Sequence, residues 1–157
     1  MSYASLLNEL RLARALVTAL VDTLTDADSR TQYHPDLSPP GWHLGHCAFT
    51  ESAWLQATIC KDDRLTQPFA ALYTPTETPR HERGAMLPAL AALLAWSNQL
   101  QSVNDDLLES RPPQLMNHPL MQDNYLLHFL IQHYCQHYES LLMVLAQRAI
   151  LSDTGDF

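Results

Sequence analysis

The chain of 157 residues is 46% hydrophobic and 17% charged, which argues against disorder and for one globular domain with a real core, spanning residues 1–157. Its formal charge of −8, with nine Lys and Arg scattered along the chain, argues against a nucleic-acid backbone or an anionic membrane surface as partner. No apolar run reaches spanning length, no signal-peptide pattern opens the chain, and Cys47, Cys60 and Cys135 lack framework spacing, so a cytoplasmic protein with reduced thiols is expected.

Four helices and no strand are predicted. The first runs from about Tyr3 to Leu24, with Leu6, Leu10, Ala13, Val17 and Leu20 on one stripe. "TDADSRTQYHPDLS" then breaks the pattern. The second helix opens at "SPPGW", where Ser38 is the expected N-cap and prolines are tolerated in the first turn. It continues to about Cys60, and its stripe is Trp42, His46, Phe49, Ala53, Ala57 and Cys60. A histidine therefore stands in an apolar line.

Residues 61–87, with Pro68, Pro75 and Pro79, read as a long functional loop. The third helix is expected from about Pro88 to Leu108. "ESRPPQLMNHP" separates it from the fourth, from about Leu120 to Leu151. Four such helices predict an all-α four-helix bundle.

On the fourth helix Leu126, Leu130, His133, His137, Leu141 and Val144 share a stripe. His133 and His137 are one turn apart, the spacing at which a helix gives two ligands to one ion. His46 on the facing stripe completes a three-nitrogen set that leaves positions open for water or substrate, a catalytic rather than a closed arrangement. His43, one turn before His46, competes as third ligand. The plainer explanation is that these are hydrogen-bonded core histidines, since a chain with eight histidines produces H-x-x-x-H by chance. His34, His81, His118 and His128 are assigned to surface or loop. Cys47, Cys135, Trp42, Trp54 and Trp96 are assigned to packing, and Tyr134 and Tyr138 point off the stripe.

Two segments, "YHPDLSPPGWHLGHCAFTESAWL" and "IQHYCQHYESLLMVLAQR", resemble the DinB-like metal-binding bundles, most of all the N-terminal domain of the sulfoxide synthases that make ergothioneine, ovothiol and selenoneine. The resemblance covers roughly residues 30–148. In that family SP-x-x-W-x-L-x-H supplies one ligand and H-x-x-x-H-x-E the other two. The resemblance thus implies His46, His133 and His137 as ligands and sets His43 aside. "TPRHERGAMLPALAALLAW" matches the family's arginine-containing segment, which implies that Arg80 and Arg83 bind the carboxylates of a small thiol substrate through bidentate hydrogen bonds. Ordinary solvated loop arginines are the alternative. Glu51 and Glu139 fall at matching positions, where each is expected to accept the second ring N–H of a ligand histidine; a surface carboxylate or a bundle salt bridge is the alternative.

The synthases add a second domain similar to the formylglycine-generating enzymes, and nothing in this sequence matches it. The expectation is therefore the non-haem-iron half of a system for oxidative C–S bond formation or thiol oxidation, completed by a separate subunit. The cofactor would be a divalent metal, with Fe(II) favoured and Zn(II) or Ni(II) as alternatives. A second reading follows from DinB-like bundles that are zinc-dependent thiol S-transferases and often homodimers. A third is a non-enzymatic metal-binding or structural bundle. A fourth protein ligand would favour structure; a cavity with Arg80 or Arg83 on its wall would favour catalysis.

Overall fold

The computed structural model describes residues 2–154, and among them every regular element is helical. Four long helices carry the fold: α1 (Tyr3–Asp22), α3 (Pro40–Ser52), α6 (Leu90–Ser110) and α8 (Tyr125–Thr154), with α3 running directly into a π-helical stretch, Ala53–Ile59. Short elements fill the connections: α2 (Asp26–Arg30), α4 (Ala70–Tyr73), α5 (Arg80–Met86), α7 (Pro113–Met116) and two 3₁₀ turns, Gln67–Phe69 and Pro119–Asn124. This is the all-α bundle expected. None of the described helices is long and apolar enough to cross a membrane.

The centre of the bundle is α3, which packs against α1, α6 and α8. Every residue from Ser38 to Ala48 is accordingly buried. A helix enclosed on all sides has no solvent face to spend on polar residues, so its histidines are forced into contact with neighbours. The first-helix stripe lies in the core as predicted at Leu6, Leu10, Ala13 and Val17, whereas Leu20 is half-buried and Val21 is buried beside it.

Several boundaries differ from expectation. Ser38 does not cap α3; its hydroxyl accepts a hydrogen bond from Nη1 of Arg83 at 2.6 Å, and Pro39 holds the N-cap position without a side-chain bond. The predicted stripe of the second helix holds for Trp42 and His46 but not beyond. Phe49, Ala53, Ala57 and Cys60 are only half-buried, while Cys47, Ala48, Leu55 and Ile59 are buried. The π-helical stretch adds residues to each turn and so shifts the phase of the inward face after Ser52. Cys135, assigned to packing, is exposed. Trp42 is buried, and Trp54 and Trp96 pack partly buried against the core. Residues 61–87 are more structured than a plain loop, because α4 and α5 lie within them.

A buried charge network ties α1, α3, α6 and α8 together. Arg14, on the α1 face toward α3, grips Glu51 with Nε to Oε2 at 3.0 Å and Nη2 to Oε1 at 2.5 Å. Tyr134 donates its hydroxyl to Oε2 at 2.9 Å, and Asn104 donates to Oε1 at 2.7 Å. Glu51 is fully buried, and Arg14 reaches on to Asp105 at 2.6 Å. A guanidinium and two further donors stand where water would otherwise solvate this carboxylate.

Candidate metal centre

The crossing of α3 and α8 sets His46 against His133 and His137. Nε2 of His46 lies 3.2 Å from Nε2 of His133. One ligand atom from each of His46, His133 and His137 falls within 4.8 Å of the other two, and these three form the metal-competent group among the described residues.

The orientation of His46 is fixed from its other nitrogen. Nδ1 of His46 lies 2.7 Å from the backbone carbonyl of Tyr73. A carbonyl only accepts, so Nδ1 carries the proton and Nε2 presents a lone pair toward His133. The indole of Trp42 stacks on the same imidazole, with ring centroids 4.6 Å apart and 7° between planes. Trp42 also donates Nε1–H to the Leu72 carbonyl at 2.8 Å. Two residues one turn apart on α3 thus hold two successive carbonyls at the end of α4. Gly45, between them, makes the approach possible: a Cβ there would overlap the Tyr73 ring.

Burial sets the charge of the cluster. It pulls His133 down to about 4 and His137 down to about 2, with neighbouring imidazoles adding to the effect in both. His46 is lowered by burial as well, and His43 falls to about 4 through burial and then His46. These rings are therefore neutral near pH 7 and offer lone pairs. Nδ1 of His133 and Nε2 of His43 are buried without a hydrogen-bond partner. Converging neutral imidazole nitrogens from His46, His133 and His137 are a donor set that suits a divalent transition metal.

A cavity of about 500 Å³ opens beside the cluster, and His43, His46, His137 and Trp42 form part of its wall. Arg80 and Arg83 line it too. The two arginines differ in kind. Arg80 is exposed, whereas Arg83 is buried and its guanidinium lies 4.0 Å over the Trp42 ring. Arg83 donates Nε–H to the Thr78 carbonyl at 3.0 Å, Nη1–H to Ser38 and Nη2–H to the Pro75 carbonyl at 2.7 Å. Much of its hydrogen-bonding capacity therefore holds the connection between α4 and α5 against α3.

Neither glutamate takes the role expected of it. Glu51 is consumed by Arg14, Asn104 and Tyr134 and meets no ligand histidine, and Glu139 is exposed on α8. The acceptor for His46 is a backbone carbonyl instead, which no side-chain pattern announces. His43 stands outside the three-histidine group, as the resemblance implies, but it touches His137, Nδ1 to Nδ1 at 2.9 Å, a contact the sequence does not anticipate. His81 and His128 are exposed, and His34 and His118 each accept a bond from a nearby backbone N–H, consistent with surface and loop positions.

A family model described as the DinB superfamily matches residues 9–141, a span that includes all three clustered histidines. No curated protein matches the chain.

Proposed function

The chain belongs to the DinB superfamily, and from this we propose that it is a metal-dependent protein acting on a small thiol, with His46, His133 and His137 holding one divalent ion. The observation that supports catalysis over a purely structural ion is the cavity of about 500 Å³ against His46 and His137, with two arginines on its wall. A closed structural site would spend its fourth position on protein.

A divalent ion in this site supplies Lewis acidity and favours the thiolate form of a bound thiol. The protein's own groups do the rest. The Tyr73 carbonyl holds the tautomer of His46, and Trp42 stacks on the same ring and forms part of the cavity wall. Arg80 meets a substrate carboxylate, and Arg83 adds positive charge from the wall while bracing the loop. The favoured reaction is oxidation of the thiol with dioxygen as the electron acceptor and ferrous iron as the ion, because "SPPGWHLGH" and "TPRHERG" resemble the sulfoxide-synthase segments. That reading takes a partner chain similar to the formylglycine-generating enzymes. The all-nitrogen donor set serves zinc as well, which supports a second reading, zinc-dependent thiol transfer.

Elemental analysis of protein purified without an affinity tag tests the proposal. About one equivalent of metal is expected, lost in the His133→Ala, His137→Ala double variant. Iron would favour the oxidative reading and zinc the transfer reading. No metal after anaerobic loading with either ion would overturn both.

A further inference from the structure

Sequence spacing makes His43 a rival of His46, and the structure gives it different company. It is 5% exposed, lies one turn before His46 on α3, and its Nδ1 is 2.9 Å from Nδ1 of His137. Two ring nitrogens at that distance share one hydrogen, so one donates and the other accepts. There are two arrangements. If His43 donates, neutral His137 accepts at Nδ1, carries its own proton on Nε2, and has no lone pair left for an ion. If His137 donates, its Nε2 is free to bind, and His43 accepts at Nδ1 with its own proton on Nε2. Only the second arrangement is compatible with His137 as an Nε2 ligand.

We propose that His43 is a positioning residue for the metal centre: it accepts the Nδ1–H of His137 and thereby fixes the tautomer and ring orientation that present Nε2 to the ion. The inference rests on the three-histidine reading above. Its physical basis is general, because a ligand imidazole holds its orientation through the hydrogen bond its other nitrogen makes. His46 uses the Tyr73 carbonyl for that purpose and His137 uses His43. The acceptor is rigid. Trp42 meets the His43 ring edge-on at 5.7 Å and 85°, and the Trp42 indole is itself tied to the Leu72 carbonyl. Nε2 of His43 is buried with no hydrogen bond of ordinary geometry, and besides His137 the ring has the Ser38 backbone, which acts on it as a hydrogen-bond partner.

The test compares zinc and ferrous-iron affinities of the full-length wild type, His43→Leu and His43→Asn, by competition with a chelator. Leucine removes the acceptor. Asparagine places its Oδ1 near the position of Nδ1 and restores one. The expected loss in His43→Leu is about 10–100-fold, with His43→Asn recovering most of it. Ring ¹⁵N spectra of the zinc-loaded wild type are expected to show His137 protonated at Nδ1 and metal-bound through Nε2. This readout stands even where the leucine variant fails to fold. Wild-type affinity in His43→Leu, or equal weakness in His43→Asn, would overturn the role. So would spectra with His43 itself bound to the ion or with His137 bound through Nδ1. Those results leave the metal site standing, whereas a wild type that takes up no metal would remove the site and this role with it.

Discussion

The carbonyl of Tyr73 accepts the Nδ1–H of His46 at 2.7 Å, across a gap of 27 residues, and the Tyr73 ring packs against the helix at Gly45, where a Cβ would overlap it. One ligand of the candidate centre is therefore oriented by backbone from the connection between α3 and α6, and that relationship is open to direct perturbation.

Gly45→Ala puts a methyl group into the Tyr73 ring, which is stiff and buried and has nowhere to move cheaply. Overpacking of this kind costs about 1–3 kcal/mol. We expect a lower denaturant midpoint together with weaker metal binding, as the carbonyl is pushed from His46. Tyr73→Phe is the control. The Tyr73 hydroxyl is buried without a partner, so its removal leaves no donor orphaned, and stability and metal binding should both be maintained.

His46→Ala and His137→Ala should each abolish metal binding and leave a helical protein, since neither side chain fills the hydrophobic core around Leu44 and Leu130. Circular dichroism and metal content measured on the same samples separate the two effects. Unchanged metal content in both variants would mean the ligands are elsewhere.

The two arginines should separate cleanly. Arg80→Ala is expected to weaken binding of a dicarboxylate thiol such as γ-glutamylcysteine, measured by calorimetry on metal-loaded protein, and to spare both metal content and stability. Arg83→Ala removes the bonds to Ser38, Pro75 and Thr78 and should lower the unfolding midpoint as well. Equal thiol affinity in Arg80→Ala and wild type would take Arg80 out of the site.

Metal-free protein should lose stability in mild acid. The folded-state values of His43 and His133 are about 4 and that of His137 about 2, all below the ordinary 6.5, with burial the first cause in each. Below 6.5 the unfolded chain takes up protons that the folded chain refuses, so the stability of the folded state falls as pH falls, from about 6.5 down through 4. Urea melts at pH 7, 6 and 5 read this slope directly. Replacing His133 with leucine should flatten it, and a slope unchanged by that substitution would show that the ring is not buried neutral.

Arg14→Met leaves the Glu51 carboxylate in the core without its guanidinium. Removing one member of a buried pair costs about 3–5 kcal/mol, and both groups here are almost fully buried. A denaturant midpoint close to wild type would mean that water or another cation reaches Glu51.

The H-x-x-x-H pair on α8 was legible because helical periodicity is local: four residues make about one turn whatever surrounds them. His46 could be joined to that pair because it stands on a facing apolar stripe, but choosing it over His43 took the family pattern, since spacing alone does not say which imidazole reaches the neighbouring helix. For Glu51 the choice between supporting a ligand and joining a bundle salt bridge stays open in the sequence for the same reason. Its principal partner, Arg14, is 37 residues away on another helix, and a carboxylate five residues after a ligand looks like support for that ligand until the packing is known. The inward face after Ser52 was lost because a π-helical stretch changes the period that the stripe assumes. Tyr73 left no trace at all, because a main-chain carbonyl has no side-chain signature. His43 was visible only as a rival ligand, and its contact with His137 depends on rotamers that spacing does not fix.

The paired carbonyls of Leu72 and Tyr73 have a mechanical consequence. Because Trp42 and His46 each hold one of them, the geometry of the centre depends on the length of the strap between Ile59 and Ala70 as much as on the bundle. Lengthening that strap by a residue, or cutting it at exposed Lys61 or Arg64, would slacken a tether rather than remove a ligand. The ion would then be lost from a protein in which every imidazole is still present.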